Sequence, residues 1–497
     1  MSNAFVSNMK KVNNYTLTEN GALAMKSTNS AIVDLFGTIG SLRSRSVSEI
    51  ERLFSFAFAE DKLLATKMAF YARNVRGGLG ERDTARIIWH YLAESQPDIM
   101  RKNLEFIPVF GRWDDLYCLL DTPVEEDMWN LVRAQYKADV EGMEKGESIS
   151  LMGKWLKNVN SKNATYASWG KRTARALHMS DMKYRHARAA LNDYLGVIEC
   201  NMSNGDFSRI PYEAVSSRAM MIYRNAFKKR DPDGFQAYLD SLTKGEVKVN
   251  ASTLYPYDIM EKYGIHETWS WGDSHNYLSC SNPFDTVLEE QWKALPNYVE
   301  GENNVLVMAD TSGSMSGRPL ATSVGLALYF AERNKGAFQN VFMTFSDRPK
   351  FVTVKGSNLR EKIGSVEAIV ANTNIEAAFK LILKTSVENH VPAEDMPKAL
   401  VIISDMEFDR ATRWNDTYYN NFERMYAEAG YAVPTIIFWN VNSRHDVFHV
   451  ACDKKGVQLA SGSSASTFKS ILANIGKTPY EAVVDTLNSE MYSMITV

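Results

Sequence analysis

The sequence predicts a two-part chain, an all-α array of helical repeats of HEAT type followed by a doubly wound α/β domain. Three observations carry this. Apolar runs at 305–308, 341–345, 399–404 and 435–441 alternate with helical stretches, the mark of βαβ units in a mostly parallel sheet. From residue 46 to about residue 242 the chain instead strings together short amphipathic helices with brief connections. The whole chain of 497 residues, 45% hydrophobic and 23% charged, has the material of an ordinary globular protein of roughly two to four domains. We place the boundaries at 1–40 for an N-terminal arm, 41–298 for the helical array and 299–497 for the α/β domain.

In chain order, residues 1–40 are polar and rich in Asn, Ser and Thr, and read as an arm or a first short helix. Ser46-Val-Ser-Glu49 is a capping box, and Ile50, Leu53, Phe54 and Phe58 make one apolar stripe behind it. Further helices are expected at about 61–74, 83–95, 98–107, 112–120, 184–200, 212–228 and 233–242. They follow no strict sequence period, but helix pairs of this size suggest a degenerate α-solenoid. Gly77-Gly-Leu-Gly80 follows helical sequence and lacks a succeeding Lys-Ser/Thr, so it reads as an interhelical turn rather than a phosphate loop. Arg73, Arg76, Arg82 and Arg86 around it are candidates for phosphate contact. Asp114 and Asp115 read as negative charge at a helix N-terminus. Between about 243 and 300 the chain is aromatic and irregular (Trp269, Trp271, Tyr277, Trp292), ending in a helix at 283–294.

In the α/β part, the run 305–308 lacks polar alternation, so its strand is covered on both faces. It leads into Asp310, Ser312 and Ser314, and a helix opens at Pro319. Ligands of open α/β sheets bind beyond the carboxyl ends of strands. One carboxylate and two neutral hydroxyls there form a hard-oxygen set suited to octahedral Mg²⁺. A later strand ends in Ser404-Asp405, and Asn372-Thr373-Asn374 opens a helix at 375–384. No nucleophile–base pair is visible nearby, so a binding device rather than an enzyme is expected. Glu407 and Asp409 either shape the field near the ion or form an acidic turn. His445 and His449 have the i, i+4 spacing of a helical zinc pair, but the HExxH context is missing, which favours an ordinary surface segment.

Asp310, Ser312, Ser314, Thr373 and Asp405 resemble the metal-ion-dependent adhesion site of von Willebrand factor A (vWA) domains, over about the last 200 residues. The resemblance implies Mg²⁺, or another divalent cation such as Mn²⁺. Ser312 and Ser314 would ligate directly, Thr373 directly or through water, and Asp310 and Asp405 mostly through water. One coordination position would stay open for an acidic group of a protein partner. A helical array followed by a vWA domain resembles the Ro (TROVE) RNA-binding proteins. Arg73-Asn-Val-Arg-Gly-Gly-Leu-Gly-Glu-Arg82, Ile107-Pro-Val-Phe-Gly-Arg-Trp-Asp-Asp-Leu116, Ser404-Asp-Met-Glu-Phe-Asp409, Ile436-Ile-Phe-Trp-Asn-Val441 and Leu459-Ala-Ser-Gly462 are similar to vWA-bearing relatives of Ro. That resemblance implies a closed ring of repeats whose hole takes single-stranded RNA ends and whose outer face takes structured small RNA.

A local basic tract fits such a partner. It comprises Lys154, Lys157, Lys162, Lys171, Arg172, Arg175, Lys183, Arg185 and Arg188, with Asp181 the one acid among them. Trp155, Tyr166, Trp169 and Tyr184 are interleaved as stacking platforms. A solvated helix face with inward aromatics is the competing reading. Arg218, Arg224, Lys228, Lys229 and Arg230 extend the track or simply end a helix.

Composition sets the remaining bounds. A net charge of −3 confines any nucleic-acid site to a local patch. No run of 18 apolar residues suggests a membrane span. The opening residues lack the apolar region of a secretory signal, and the four cysteines lie far apart, so a cytoplasmic location without structural zinc or disulfides is expected. The expected function is non-enzymatic, Ro-like RNA binding with a divalent-metal site and no small-molecule substrate. A structural component, such as an assembly or virion protein using the vWA domain as an adhesive module without RNA, is the alternative.

Overall fold

A computed structural model describes residues 13–267, 277–299, 304–345, 349–367, 374–410 and 418–497. The chain opens with a hairpin, β1 (Tyr15–Leu17) and β2 (Leu23–Met25). A second small ribbon pairs β3 (Ile265–Glu267) with β4 (Leu278–Cys280). The main sheet holds β5 (Val305–Asp310), β6 (Val341–Phe345), β7 (Lys350–Thr353), β8 (Ala399–Ser404), β9 (Thr435–Asn440) and β10 (Val457–Ser461). Its order is β10-β9-β8-β5-β6-β7, parallel except for the antiparallel edge strand β7.

The absence of polar alternation in β5, β8 and β9 has a direct structural counterpart, since successive side chains feed two different cores. Val305, Val307, Val401, Ile403, Ile437 and Trp439 pack with helix Arg318–Arg333 on one face. Leu306, Met308, Leu400, Ile402, Ile436 and Phe438 pack on the other with helices Ile375–Glu388 and Tyr418–Glu428. Helices on both faces of a mostly parallel sheet make the part doubly wound, as the sequence predicts.

Apart from the two small ribbons the first part is mainly helical, again as expected. Helix Val47–Glu60 starts at the Ser46/Glu49 capping box and buries Ile50, Leu53, Phe54 and Phe58. Helices Lys62–Arg73 and Arg82–Ser95 flank the Gly77–Gly80 turn. A Cβ on Gly78 would lie 2.2 Å from the Tyr71 carbonyl, and Gly80 has φ +68° beside the Tyr255 hydroxyl, so this is a tight interhelical turn. Among the helices not evident in the sequence pattern are Glu125–Lys145, Ala164–Ala176 and Pro256–Tyr263. The first buries only Met128, Trp129, Val132, Asp139 and Gly142 over 21 residues, too thin an apolar stripe to register.

Asp114 and Asp115 do open a short 3₁₀ helix, Trp113–Leu119, but they are buried and do more than complement a helix end. Asp115 accepts from Arg73 Nε (2.8 Å) and from Arg86 Nε (2.7 Å), while Asp114 accepts from Lys157 Nζ (2.8 Å). Arg73 and Arg86 therefore neutralise interior carboxylates instead of facing phosphates.

The two parts interlock at both chain ends. Of the segment read as an arm or a first short helix, the described residues 13–40 are folded and include such a helix: β2 bridges Phe448 through Met25, and helix Ala31–Phe36 packs on β10. Ser461 Oγ accepts the Gly40 amide (3.0 Å) and donates to the Phe36 carbonyl (2.9 Å). The last helix, Pro479–Leu487, packs against helices Ala31–Phe36 and Lys62–Arg73. Tyr492 stacks on Phe110 and accepts from Asn74 Nδ2 (3.0 Å). At the far end of the helical run, helix Pro256–Tyr263 packs on helix Arg318–Arg333. Among the described residues no helix is long and apolar enough to cross a membrane, and all four cysteines are free.

Gly40 marks how closely the parts approach. A Cβ there would sit 2.7 Å from the backbone of Ser461 and Gly462. Gly40→Ala is expected to destabilise the protein by about 1–3 kcal/mol, the usual cost of overpacking. Urea denaturation at matched conditions measures it, and an unchanged midpoint would show that the interface has slack.

Candidate metal centre and basic surface

In the sheet order, β5 and β8 are neighbours from which the chain crosses over in opposite directions. Such a switch point leaves a crevice at the strand ends, where open α/β sheets bind ligands. Asp310 is the last residue of β5, and Asp405 follows β8 directly. Both carboxylates are buried. Asp310 Oδ1 accepts the Ser312 amide (2.9 Å) and Oδ2 accepts the Ser404 hydroxyl (2.6 Å). Asp405 Oδ1 accepts the Glu407 amide (3.2 Å), and Oδ2 pairs with Arg444 Nη2 (2.8 Å). The turn after Asp405 passes through Met406 at φ +68°, an uncommon conformation for a residue with a side chain.

Burial, and then the neighbouring charge of Asp405, hold the Asp310 carboxyl well above the usual carboxylate range. A cation between these groups would relieve that cost. The hydroxyls of Ser312 and Ser314 lie 3.2 Å apart. Two oxygens bound side by side to Mg²⁺ at about 2.1 Å are about 3.0 Å apart, so the pair fits neighbouring octahedral positions. Thr311 Oγ1, buried in the same loop, has no hydrogen-bond partner among the described residues. Asp310, Ser312 and Ser314 share one strand-end loop and Asp405 directly follows the neighbouring strand, while Thr373 lies outside the described residues.

Residues that sequence reasoning misses complete the surroundings. Arg444 joins Asp405 to Glu19 of the N-terminal hairpin (Nη1–Oε2, 2.8 Å). Ser404 reads in the sequence only as part of a strand end, yet its hydroxyl orients Asp310. Nothing in the sequence pattern singles out Arg444 or Glu19. The His445/His449 pair does not assemble. His449 is buried, donates from Nε2 to the Met406 carbonyl (3.0 Å) and lies against Phe408 and Phe438. His445 is exposed and faces Glu407 and Glu19.

The basic tract divides into two sets. Arg172 is clamped by Asp121 (2.9 Å) and Glu125, Lys157 by Asp114, and Arg188 by the carbonyls of Leu156 and Lys154. Lys154 stands 3.9 Å from Glu199. Lys162, Lys171, Arg175, Lys183 and Arg185 remain exposed on or beside helices Ala164–Ala176 and Asp181–Tyr194, and form no ion pair with a described residue. Of the aromatics, Tyr184 is buried and Trp169 stacks on Tyr117 at 4.9 Å. Tyr166 is exposed, and Arg112 covers Trp155 at 4.1 Å. In the second group, Arg218 pairs with Asp258 and Arg224 with Asp285, whereas Lys228, Lys229 and Arg230 end their helix in solvent.

Fold and site together define a helical body joined to an open α/β sheet with an acidic switch point. The chain belongs to the family described as a domain of unknown function (DUF2828), whose model matches residues 18–149 and 149–303. A second model, also described as a domain of unknown function (DUF7788), matches residues 304–492. An uncharacterized protein of Acanthamoeba polyphaga mimivirus is 27% identical over 503 residues, covering 92% of this chain and 85% of that one. Among solved structures, the Ro (RSR) protein of Deinococcus radiodurans is similar with a TM-score of 0.47 and 14% identity, over 93% of this chain and 100% of that one.

Burial holds His449 down at about 4, against 6.5 for an ordinary imidazole. The unfolded chain therefore binds more protons between these values, and the associated stability is complete above about pH 6.5 and is lost as pH falls towards 4. At about 1.4 kcal/mol per pH unit the effect reaches about 3 kcal/mol. His449→Gln, which keeps a donor for Met406, should flatten the pH dependence of the unfolding free energy in that window. Parallel slopes for the two proteins would dismiss the assignment.

Proposed function

We propose that the protein is a non-enzymatic, Ro-like RNA-binding protein whose α/β part is a vWA-type adhesion module. The observation that carries the RNA reading is the set of five exposed basic side chains, Lys162, Lys171, Arg175, Lys183 and Arg185, on two consecutive helices and the loop before them. Lys171 and Arg175 are four residues apart and share a helix face. Guanidinium and ammonium groups without an internal acid are free to replace the counterions of a phosphate backbone. Exposed Tyr166 adds a ring on which a base can stack. Arg172, Lys157 and Arg188 hold the helices in place and are not the contact groups. In this reading the helical body would be the counterpart of the HEAT-like repeats.

The metal reading rests on the buried Asp310/Asp405 pair at the switch point. Ser312 and Ser314 would hold Mg²⁺ or Mn²⁺ directly, with Thr373 completing the set and the two carboxylates acting through water. A cation ligated mainly by neutral oxygens stays electrophilic, and supplies an adhesion point for a carboxylate of an acidic protein partner. This chain's own contribution is orientation: Ser404 fixes Asp310, and Arg444 fixes Asp405.

Reversing charge at Lys171, Arg175, Lys183 and Arg185 (each →Glu) should weaken binding of a single-stranded RNA homopolymer. It should also make the dependence of log affinity on log salt shallower by about 0.7 for each phosphate no longer neutralised. An unchanged slope would remove RNA from the proposal and favour the structural, protein-binding alternative. For the metal, calorimetry with MgCl₂ should give one fewer ion per chain in Asp310→Ala than in the wild type. Equal stoichiometry would refute the centre.

A further inference from the structure

The turn between β1 and β2 lies against the loop that follows β8. Thr18 Oγ1 donates to the Phe408 carbonyl (2.6 Å), Asn20 Nδ2 to the Glu407 carbonyl (2.7 Å), and the Glu19 amide to Glu407 Oε2 (2.7 Å). Gly21 bridges Asp409 in antiparallel fashion. This docking delivers the Glu19 side chain to Glu407 and His445. Nδ1 of His445 lies 3.1 Å from Glu407 Oε1 and 3.4 Å from Glu19 Oε1. One ligand atom from each of the three residues falls within 4.8 Å of the others.

Two independent features point to a cation here. The first is the donor geometry. Ligands at about 2.0–2.2 Å from a zinc ion stand roughly 3.0–3.5 Å apart for octahedral to tetrahedral angles, which is the spacing of His445 to both carboxylates. The second is charge. Glu407 is 1% exposed, yet among the described residues no Lys or Arg pairs with it. Its one ion-pair partner among them is an imidazole, which is cationic only when protonated. Buried carboxylates are as a rule paired with fixed charge or bound to metal. Arg444, the nearby guanidinium, is committed to Glu19 and Asp405.

We propose that Glu19, Glu407 and His445 form a second metal site, for a borderline-soft divalent ion such as Zn²⁺, that staples the N-terminal hairpin to the α/β domain. An imidazole with two carboxylates selects zinc-like ions over Mg²⁺. Glu19 and His445 are solvent-exposed, so the ion has an entry path and water can fill the remaining positions. The ion is held by the lone pair of Nδ1 in the neutral imidazole, with the ring's single proton on Nε2. The site adjoins the Asp310 centre, since Arg444 links Glu19 to Asp405, but it uses none of that centre's ligands and its existence does not depend on that reading.

The test is calorimetric titration of the full chain with ZnCl₂ in saturating MgCl₂. The expected result is one Zn²⁺ per chain, weakened about tenfold or more in Glu19→Gln and in His445→Ala. Both variants alter exposed side chains and leave the Glu19 amide contact intact. Asp310→Ala should bind Zn²⁺ as the wild type does. The proposal is overturned if the wild type takes up no Zn²⁺, if both variants match it, or if Asp310→Ala loses the ion.

Discussion

Two carboxylates buried side by side at the ends of neighbouring parallel strands set the terms for this edge of the sheet. Asp310 and Asp405 cannot escape each other, because β5 and β8 are in register from Val305 opposite Ala399 to Ala309 opposite Ile403. Each carboxylate is then satisfied by what the next residues offer: the Ser312 amide, the Ser404 hydroxyl, the Glu407 amide and one guanidinium. Those bonds shape both loops, including the left-handed turn at Met406. A loop shaped this way turns Ser312 and Ser314 towards one point. The form of both loops is thus a consequence of holding two buried carboxylates this close.

The same edge ties the chain together. Arg444 reaches from the loop after β9 to Asp405 and to Glu19, almost the full length of the sequence away. Arg45 of the helical body donates to the Ser443 carbonyl (2.9 Å) and pairs with Asp446 (3.0 Å), in the same loop. Ser461 receives Gly40 on the neighbouring strand, and the last helix returns to the first ones. A helical body and a sheet connected by one covalent link would be free to move relative to each other. Here the chain's ends cross between them, so the acidic crevice has a fixed setting against the helices.

Much of this is legible in the sequence, for physical reasons that also mark its limits. The strands announce themselves because burial on both faces removes polar alternation, and the loop after β5 because its donors are spaced within five residues. The capping box at Ser46 and the turn at Gly77–Gly80 are equally local. Glu19 and Arg444 are invisible there: their importance comes from a hairpin docking across 388 residues of sequence, as in the Glu19–Glu407 contact, and no window sees that. Helix Glu125–Lys145 escapes detection because it buries few apolar side chains over its length. The i, i+4 spacing of His445 and His449, already discounted for want of an HExxH context, has no helix behind it, and one ring turns into the core.

Charge is where sequence and structure part most instructively. Nine basic residues in one tract suggest a single surface, but a charge counted is not a charge available. Asp114, Asp121 and Glu125 lie outside the tract, and they claim Lys157 and Arg172 from a distance of 43 to 51 residues. Arg188 spends its donors on two carbonyls, which holds helix Asp181–Tyr194 to the segment before it. What remains is a smaller, more exposed group at the helix surfaces, anchored from beneath by the charges that turned inward. That division of labour is what the proposed RNA surface would need. Contact residues must be free to trade water and ions for phosphate, while the scaffold beneath them stays satisfied in both states.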